Sequence, residues 1–131
     1  MRIALGQAAL APASGEVPIA AVLVHEGEIL AQAHNLRETR QDPTAHAEML
    51  VIRAAAAKVD APRLAGCDLY VTLEPCSHFG RTPPCADALV RAGVARVVVA
   101  LMDPNPLVAG RGVTRLSDAG VQVDVLSPDD P

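Results

Sequence analysis

The chain is poor in aromatic residues: Tyr70 and Phe79 are the whole inventory, and there is no tryptophan. A protein that holds single-stranded nucleic acid by stacking bases on aromatic faces needs more than that. A cationic surplus is also missing. The formal net charge is -4 over 131 residues, so the chain as a whole has no attraction for phosphate backbones, although a local basic patch remains compatible with it. No apolar run approaches the roughly 18 residues that a membrane-spanning helix requires, which predicts no membrane association. The three cysteines, Cys67, Cys76 and Cys85, are an odd number. Met1-Arg2 runs directly into a helical pattern without a secretory leader, so a reducing cytoplasm is the expected compartment. Internal repeats, linkers and low-complexity segments are not found.

Half of the residues are hydrophobic, chiefly Ala, Val and Leu, a mixture suited to helices packed tightly on a sheet. Residues 1–131 are expected to form one domain, with 127–131 as a tail. A helical stripe at Ile3, Leu5, Ala8, Ala9 and Leu10 ends near Pro12. Residues 17–24 and 29–33 are apolar runs about a polar turn, His25-Glu26-Gly27-Glu28, and predict a hairpin. Asp42-Pro43-Thr44 announces a helix over 45–57, with Asp42 or Thr44 as its cap. A strand is expected at 68–72, a helix at 85–91 closed by Gly93, and a strand at 96–101 buried on both faces. Then come a rigid Asp103-Pro104-Asn105-Pro106 loop, a helix at 113–118 and a strand at 121–126. Strands joined by helices in this order predict an α/β sheet whose later strands run parallel and which is covered on both faces.

Against that frame one set of residues stands out. His46 and Glu48 lie at a predicted helix start, Cys76 follows a strand end at Glu74-Pro75, and Cys85 opens another helix. One histidine and two cysteines are a ligand set for a catalytic zinc ion (Zn2+), whose fourth position is left for water. A carboxylate beside it, Glu48, suits a general base. Residues two apart on a helix point to nearly opposite sides, so His46 and Glu48 share one ion only if it sits off the helix N-terminus, where the positive end of the helix favours thiolate or hydroxide. A closed, purely structural zinc site in a non-catalytic interaction module would need a fourth protein ligand, for which His78 and Cys67 are the candidates. Cys67 otherwise reads as an inert buried thiol.

The pattern His-x-Glu followed by Pro-Cys-x-x-Cys belongs to zinc deaminases, in which the glutamate is not a ligand. Here eight residues separate Cys76 from Cys85, where that pattern has two, and Phe79 occupies the short-spacing position. At these residues the chain resembles the cytidine deaminase-like superfamily. Gly15-Glu16-Val17-Pro18, His34-Asn35, residues 42–49 and 66–76 are similar to the bacterial tRNA-specific adenosine deaminase. Residues 77–112, with Asp103-Pro104-Asn105-Pro106, are similar to the deaminase domain of the bifunctional riboflavin-biosynthesis deaminase/reductase.

The resemblance implies a three-layer α/β/α fold with a mixed five-stranded sheet, zinc on His46, Cys76 and Cys85, and Glu48 as proton shuttle in hydrolytic deamination. The riboflavin branch implies a phosphoribosylated diaminopyrimidine as substrate, with His78, Arg81, Asp103 and Asn105 binding it; the Arg81 fork suits phosphate. In that branch an Asn-Pro-Pro pattern stands where this chain has Glu16-Val17-Pro18. The adenosine branch implies that Asn35 contacts the base and that a basic C-terminal helix grips RNA. Residues 121–131 are acidic, which places tRNA behind a small nucleobase-like or nucleotide-like substrate. A homodimer is implied by both branches.

Overall fold

A computed structural model of the chain describes residues 1–59, 64–77, 84–106 and 109–126. Helix α1, Arg2–Leu10, runs into a single 3-10 turn, Ala11–Ser14, which Gly15 ends in the left-handed region at φ 77°. There follow β1 (Ala20–His25), β2 (Glu28–His34), α2 (Ala47–Val59), β3 (Cys67–Val71), α3 (Cys85–Ala92), β4 (Arg96–Val99), α4 (Arg111–Asp118) and β5 (Gln122–Val125). The strands form one mixed sheet in the order β2-β1-β3-β4-β5. β1 pairs antiparallel with β2 and β3, whereas β3, β4 and β5 are parallel, as the hairpin and the later helical crossovers predict. The hairpin turns on Glu26 and Gly27, both at positive φ (50° and 80°), the backbone that matches the twist of the paired strands.

Alternation along the strands divides the sheet into two faces. Ala21 and Leu23 of β1, Leu69 and Val71 of β3, and Val97 and Val99 of β4 share one buried cluster with Val51 and Ala55 of α2, Leu89 of α3 and Leu116 of α4. On the opposite face α1 packs over β1 and β2, burying Ala4 and Ala8. The sheet therefore lies between helical layers. The contacts of α1 fall mainly on β1 and β2, and Val98 of β4, on the same face, is also buried. Over β3, β4 and β5 that face carries a charge ladder: Arg96 reaches Asp124 at 2.6 Å and Asp68 at 3.7 Å.

The boundaries of β1, β4 and α2 differ from the sequence-based expectation, as does that of α4, which starts at Arg111 and not at residue 113. β1 starts at Ala20 and not at residue 17, because Pro18 has no N–H to give a ladder and the Ile19 N–H bonds back to the Val17 carbonyl at 2.8 Å. The buried Thr72 hydroxyl accepts the Ala20 N–H instead, at 3.0 Å. β4 stops at Val99, leaving Leu101 outside it and 61% exposed. α2 begins at Ala47, since Asp42 Oδ1 accepts from the Thr44 N–H and hydroxyl and the Ala45 carbonyl is taken by the Leu36 N–H. Among the described residues no helix is long and apolar enough to cross a membrane.

The 36–45 segment, which leads into α2, is held by Glu16. This buried carboxylate accepts from the N–H of Glu38 (3.2 Å) and Thr39 (2.6 Å) and from the Thr39 hydroxyl. The Thr39 hydroxyl, followed by those backbone donors, holds the Glu16 carboxyl below its ordinary value of 4.5. A depressed folded-state pKa stabilises fully above the unfolded value and is lost as pH falls through the folded one. Glu16→Gln is therefore expected to melt below wild type near pH 7. That gap should narrow as pH falls below about 4.5 and close once the folded-state carboxyl is protonated. Thermal melts across that range provide the check, and a gap independent of pH would contradict this role.

Candidate metal centre

β3 is the central strand of the sheet, and beyond it the chain passes Glu74-Pro75 and delivers Cys76. Pro84, extended at φ -61° and ψ 146°, precedes Cys85 at the start of α3. The two cysteines meet there: the Cys85 N–H donates to Cys76 Sγ at 3.2 Å, and the Ala86 N–H to the Cys76 carbonyl at 3.0 Å. Donors at a helix start favour a thiolate at that sulfur. His46 lies one residue outside α2, where the sequence had suggested the first turn itself, and its carbonyl accepts the Leu50 N–H. A ligand atom from each of His46, Cys76 and Cys85 lies within 4.8 Å of the others.

That donor set fits zinc. Zinc–nitrogen and zinc–sulfur bonds of about 2.0–2.3 Å, arranged tetrahedrally, place donors about 3.5–3.8 Å apart, so little movement is needed to close the group around an ion. Among the described residues this is the one cluster of three or more such side chains. Cys67, at the start of β3, is buried and outside it; burial pushes its thiol pKa up, as for an inert core thiol. The described residues therefore bring no fourth side chain to the group.

Glu48 is the second residue of α2 and only 4% exposed. Its Oε2 has no hydrogen-bond partner. Burial is the main cause that pushes its carboxyl pKa up to about 7, with the Cys76 sulfur adding to it and a hydrogen bond from the Cys85 side chain opposing it. The Cys85 thiol is itself pushed up, first by its hydrogen bond with Cys76 and then by burial. A desolvated carboxylate with a spare lone pair beside a sulfur-rich cluster is poised to exchange protons.

The residues implicated through the resemblance fare unequally. Asn35 is buried, and its Oδ1 accepts the Ala47 N–H at 2.7 Å. It thus caps α2 from twelve residues away, which leaves Nδ2 as the group free to contact a ligand. Asp103 Oδ1 accepts the Asn105 N–H at 2.9 Å, forming a local turn that leaves Asn105 exposed. His78 and Arg81 lie outside the described residues. Sequence reasoning missed Glu74, whose buried carboxylate accepts the N–H groups of Asp103, Gly110 and Val113; its partners are 29–39 residues distant, so no local pattern marks it.

The family model for the cytidine and deoxycytidylate deaminase zinc-binding region matches residues 1–101. The tRNA-specific adenosine deaminase of Bacillus subtilis (strain 168) is 53% identical over 105 residues, covering 80% of this chain and 62% of its own length. Riboflavin biosynthesis protein RibD of Escherichia coli (strain K12) is 50% identical over 105 residues, again 80% of this chain but 26% of its own. This chain thus spans about a quarter of that relative. Each match is longer than half the chain, so both likenesses extend across Cys76. A solved structure from work on A-to-I editing by tRNA:A34 deaminases at the wobble position superposes with a TM-score of 0.79 at 38% identity, covering 97% of this chain and 89% of that one.

The Asn35 cap yields a direct test. Asn35→Ala removes the acceptor for a buried N–H and should destabilise the fold by about 1–2 kcal/mol. Urea denaturation measures this, and unchanged stability would assign Asn35 to ligand contact alone.

Proposed function

Because the chain belongs to the cytidine and deoxycytidylate deaminase zinc-binding family, we propose that it is a zinc-dependent hydrolase that exchanges an exocyclic amine on a nucleobase-like ring for a carbonyl. His46, Cys76 and Cys85 would hold the ion. Bound there, zinc supplies a Lewis acid that lowers the pKa of a coordinated water toward roughly 7. The protein's own part is proton transfer. Glu48 Oε2 accepts a proton as the water oxygen bonds to the ring carbon and passes it to the amine nitrogen as the C–N bond breaks and ammonia leaves, while the water's second proton ends on the neighbouring ring nitrogen as the carbonyl forms. The observation that carries this reading is the convergence of three soft donors beside a buried carboxylate oxygen that nothing else engages. Of the two candidates for the fourth donor of a closed structural site, Cys67 lies outside the group and His78 outside the described residues.

For the substrate we rank first the phosphoribosylated diaminopyrimidine that the riboflavin relatives suggest. Support comes from Asp103 and Asn105 on one tight turn. A surface cavity of about 490 Å³, lined by Ser77, Gly110, Arg111, Thr114, Arg115 and Asp118, adds to it. Arg115 is paired with Asp87 at 2.8 Å, whereas Arg111 has no ion-pair partner among the described residues and suits a phosphate. Adenosine in tRNA is the second reading, favoured by the 53% identity and by the 89% coverage of the solved tRNA:A34 deaminase chain, and opposed by the net charge of -4. His78 and Arg81 would add to the substrate site.

The proposal includes a single domain working in a reducing cytoplasm, where the three thiols stay reduced. It also includes a homodimer, which the apolar surface at Leu5, Val17 and Leu101, each at least half exposed, supports. Glu48→Ala removes a buried carboxylate, one oxygen of which has no partner. It is therefore expected to keep zinc at about one ion per chain, to melt no lower than wild type, and to lose about 100- to 10,000-fold in turnover. Ammonia release would be followed with the diaminopyrimidine nucleotide, an anticodon stem-loop, guanine, cytosine and cytidine. Turnover of the stem-loop alone would reverse the substrate ranking, and loss of folding in Glu48→Ala would point to a structural centre.

A further inference from the structure

Glu74 lies two residues before Cys76 and is only 5% exposed. Its Oε1 accepts the N–H of Asp103 at 3.2 Å and that of Gly110 at 3.0 Å, so one oxygen ties together the two ends of a loop. Its Oε2 accepts the N–H of Val113, in the first turn of α4, at 3.0 Å. The backbone of Glu74 joins in, donating to the Leu101 carbonyl at 2.8 Å. All three side-chain contacts come from donors, two of them at the positive end of a helix, and a carboxylate is the side chain that offers acceptors alone.

The close approach of α4 to this strand exit is confirmed at Gly112, where a Cβ would stand 2.0 Å from the Pro75 carbonyl oxygen and 3.1 Å from Glu74 Cγ. A glycine is needed for the helix to lie flush against the residue that precedes Cys76. The clamp and the close contact thus act on one junction, between the peptide that presents a metal donor and the loop that carries Asp103 and Asn105.

We propose that Glu74 is a positioning residue that fixes the Asp103–Asn105 turn relative to the Cys76 donor, and thereby sets how a substrate ring is held over the metal centre. This rests on the deaminase reading of the site. A displacement of about 1 Å in such a contact is enough to weaken binding or alignment strongly, and contacts equally strong in ground and transition states act on KM and leave kcat unchanged.

The experiment uses Glu74→Gln, which keeps the shape but turns an amide N–H toward one of the three donors, together with Gly112→Ala, which keeps the carboxylate and forces α4 away from Pro75. For each zinc-loaded variant, kcat and KM are measured with the diaminopyrimidine nucleotide, zinc is counted, and amide exchange is followed by NMR. The expected result is a KM raised about tenfold or more with kcat within about threefold of wild type and zinc content unchanged. Exchange should be faster at Asp103, Gly110 and Val113 but not at Ala47. Faster exchange at those amides with kcat and KM both unchanged would reduce Glu74 to a structural cap and overturn the proposal. Retained protection of the three amides in Glu74→Gln would remove the clamp itself. A wild type that releases no ammonia from any amine would instead sink the deaminase reading, which the exchange data do not touch.

Discussion

Two sulfurs and an imidazole nitrogen within 4.8 Å of one another are the arrangement on which the rest of the site depends. Thiolates repel each other, and drawing them together next to a half-buried ring is unfavourable without compensation. Part of it is built into the chain: Cys76 Sγ receives the Cys85 N–H, and Cys85 stands at the start of α3 where the helix presents its positive end. A divalent cation supplies the remainder in the function proposed. The sheet order serves that end, because β3 is central and the parallel β3–β4 pair lets α3 return Cys85 to the exit of β3.

Glu48 shows the tension that a reactive centre introduces. A carboxylate 4% exposed, with one oxygen unpartnered, destabilises the fold, and an apolar side chain of similar size would pack there more favourably. The surroundings tolerate it because α2 is otherwise well held. Asn35 satisfies the Ala47 N–H, Glu16 secures the loop that enters the helix, and Val51 and Ala55 sit in the shared core. Stability spent at one side chain is thus recovered along its helix and in the preceding loop.

Much of this could be read before any coordinates. The hairpin, the parallel later strands, the helices at Ala47 and Cys85, and the grouping of His46, Cys76 and Cys85 follow from alternation, turn chemistry and the ligand preferences of zinc, all of which act over a few residues or through residue type. What escaped notice is long-range polar bonding. Asn35 caps a helix twelve residues on, Glu16 holds Thr39, and Glu74 binds three amides near α4. Each is a polar side chain whose partner is a backbone group brought close only by the finished fold, and a backbone N–H leaves no trace in composition or spacing. The same limit explains the boundary at Ala20, where the loss of a ladder bond at Pro18 becomes decisive only once Thr72 is seen to take the Ala20 N–H.

The central claim is an ion held by one imidazole and two sulfurs with a fourth position left to solvent. Zinc K-edge absorption on the metal-loaded protein reads that directly. The account predicts two sulfurs at about 2.3 Å and two lighter neighbours at about 2.0–2.2 Å, of which only one shows the outer-shell scattering of an imidazole ring. A third sulfur, a second imidazole, or a shell of oxygens without sulfur would contradict it.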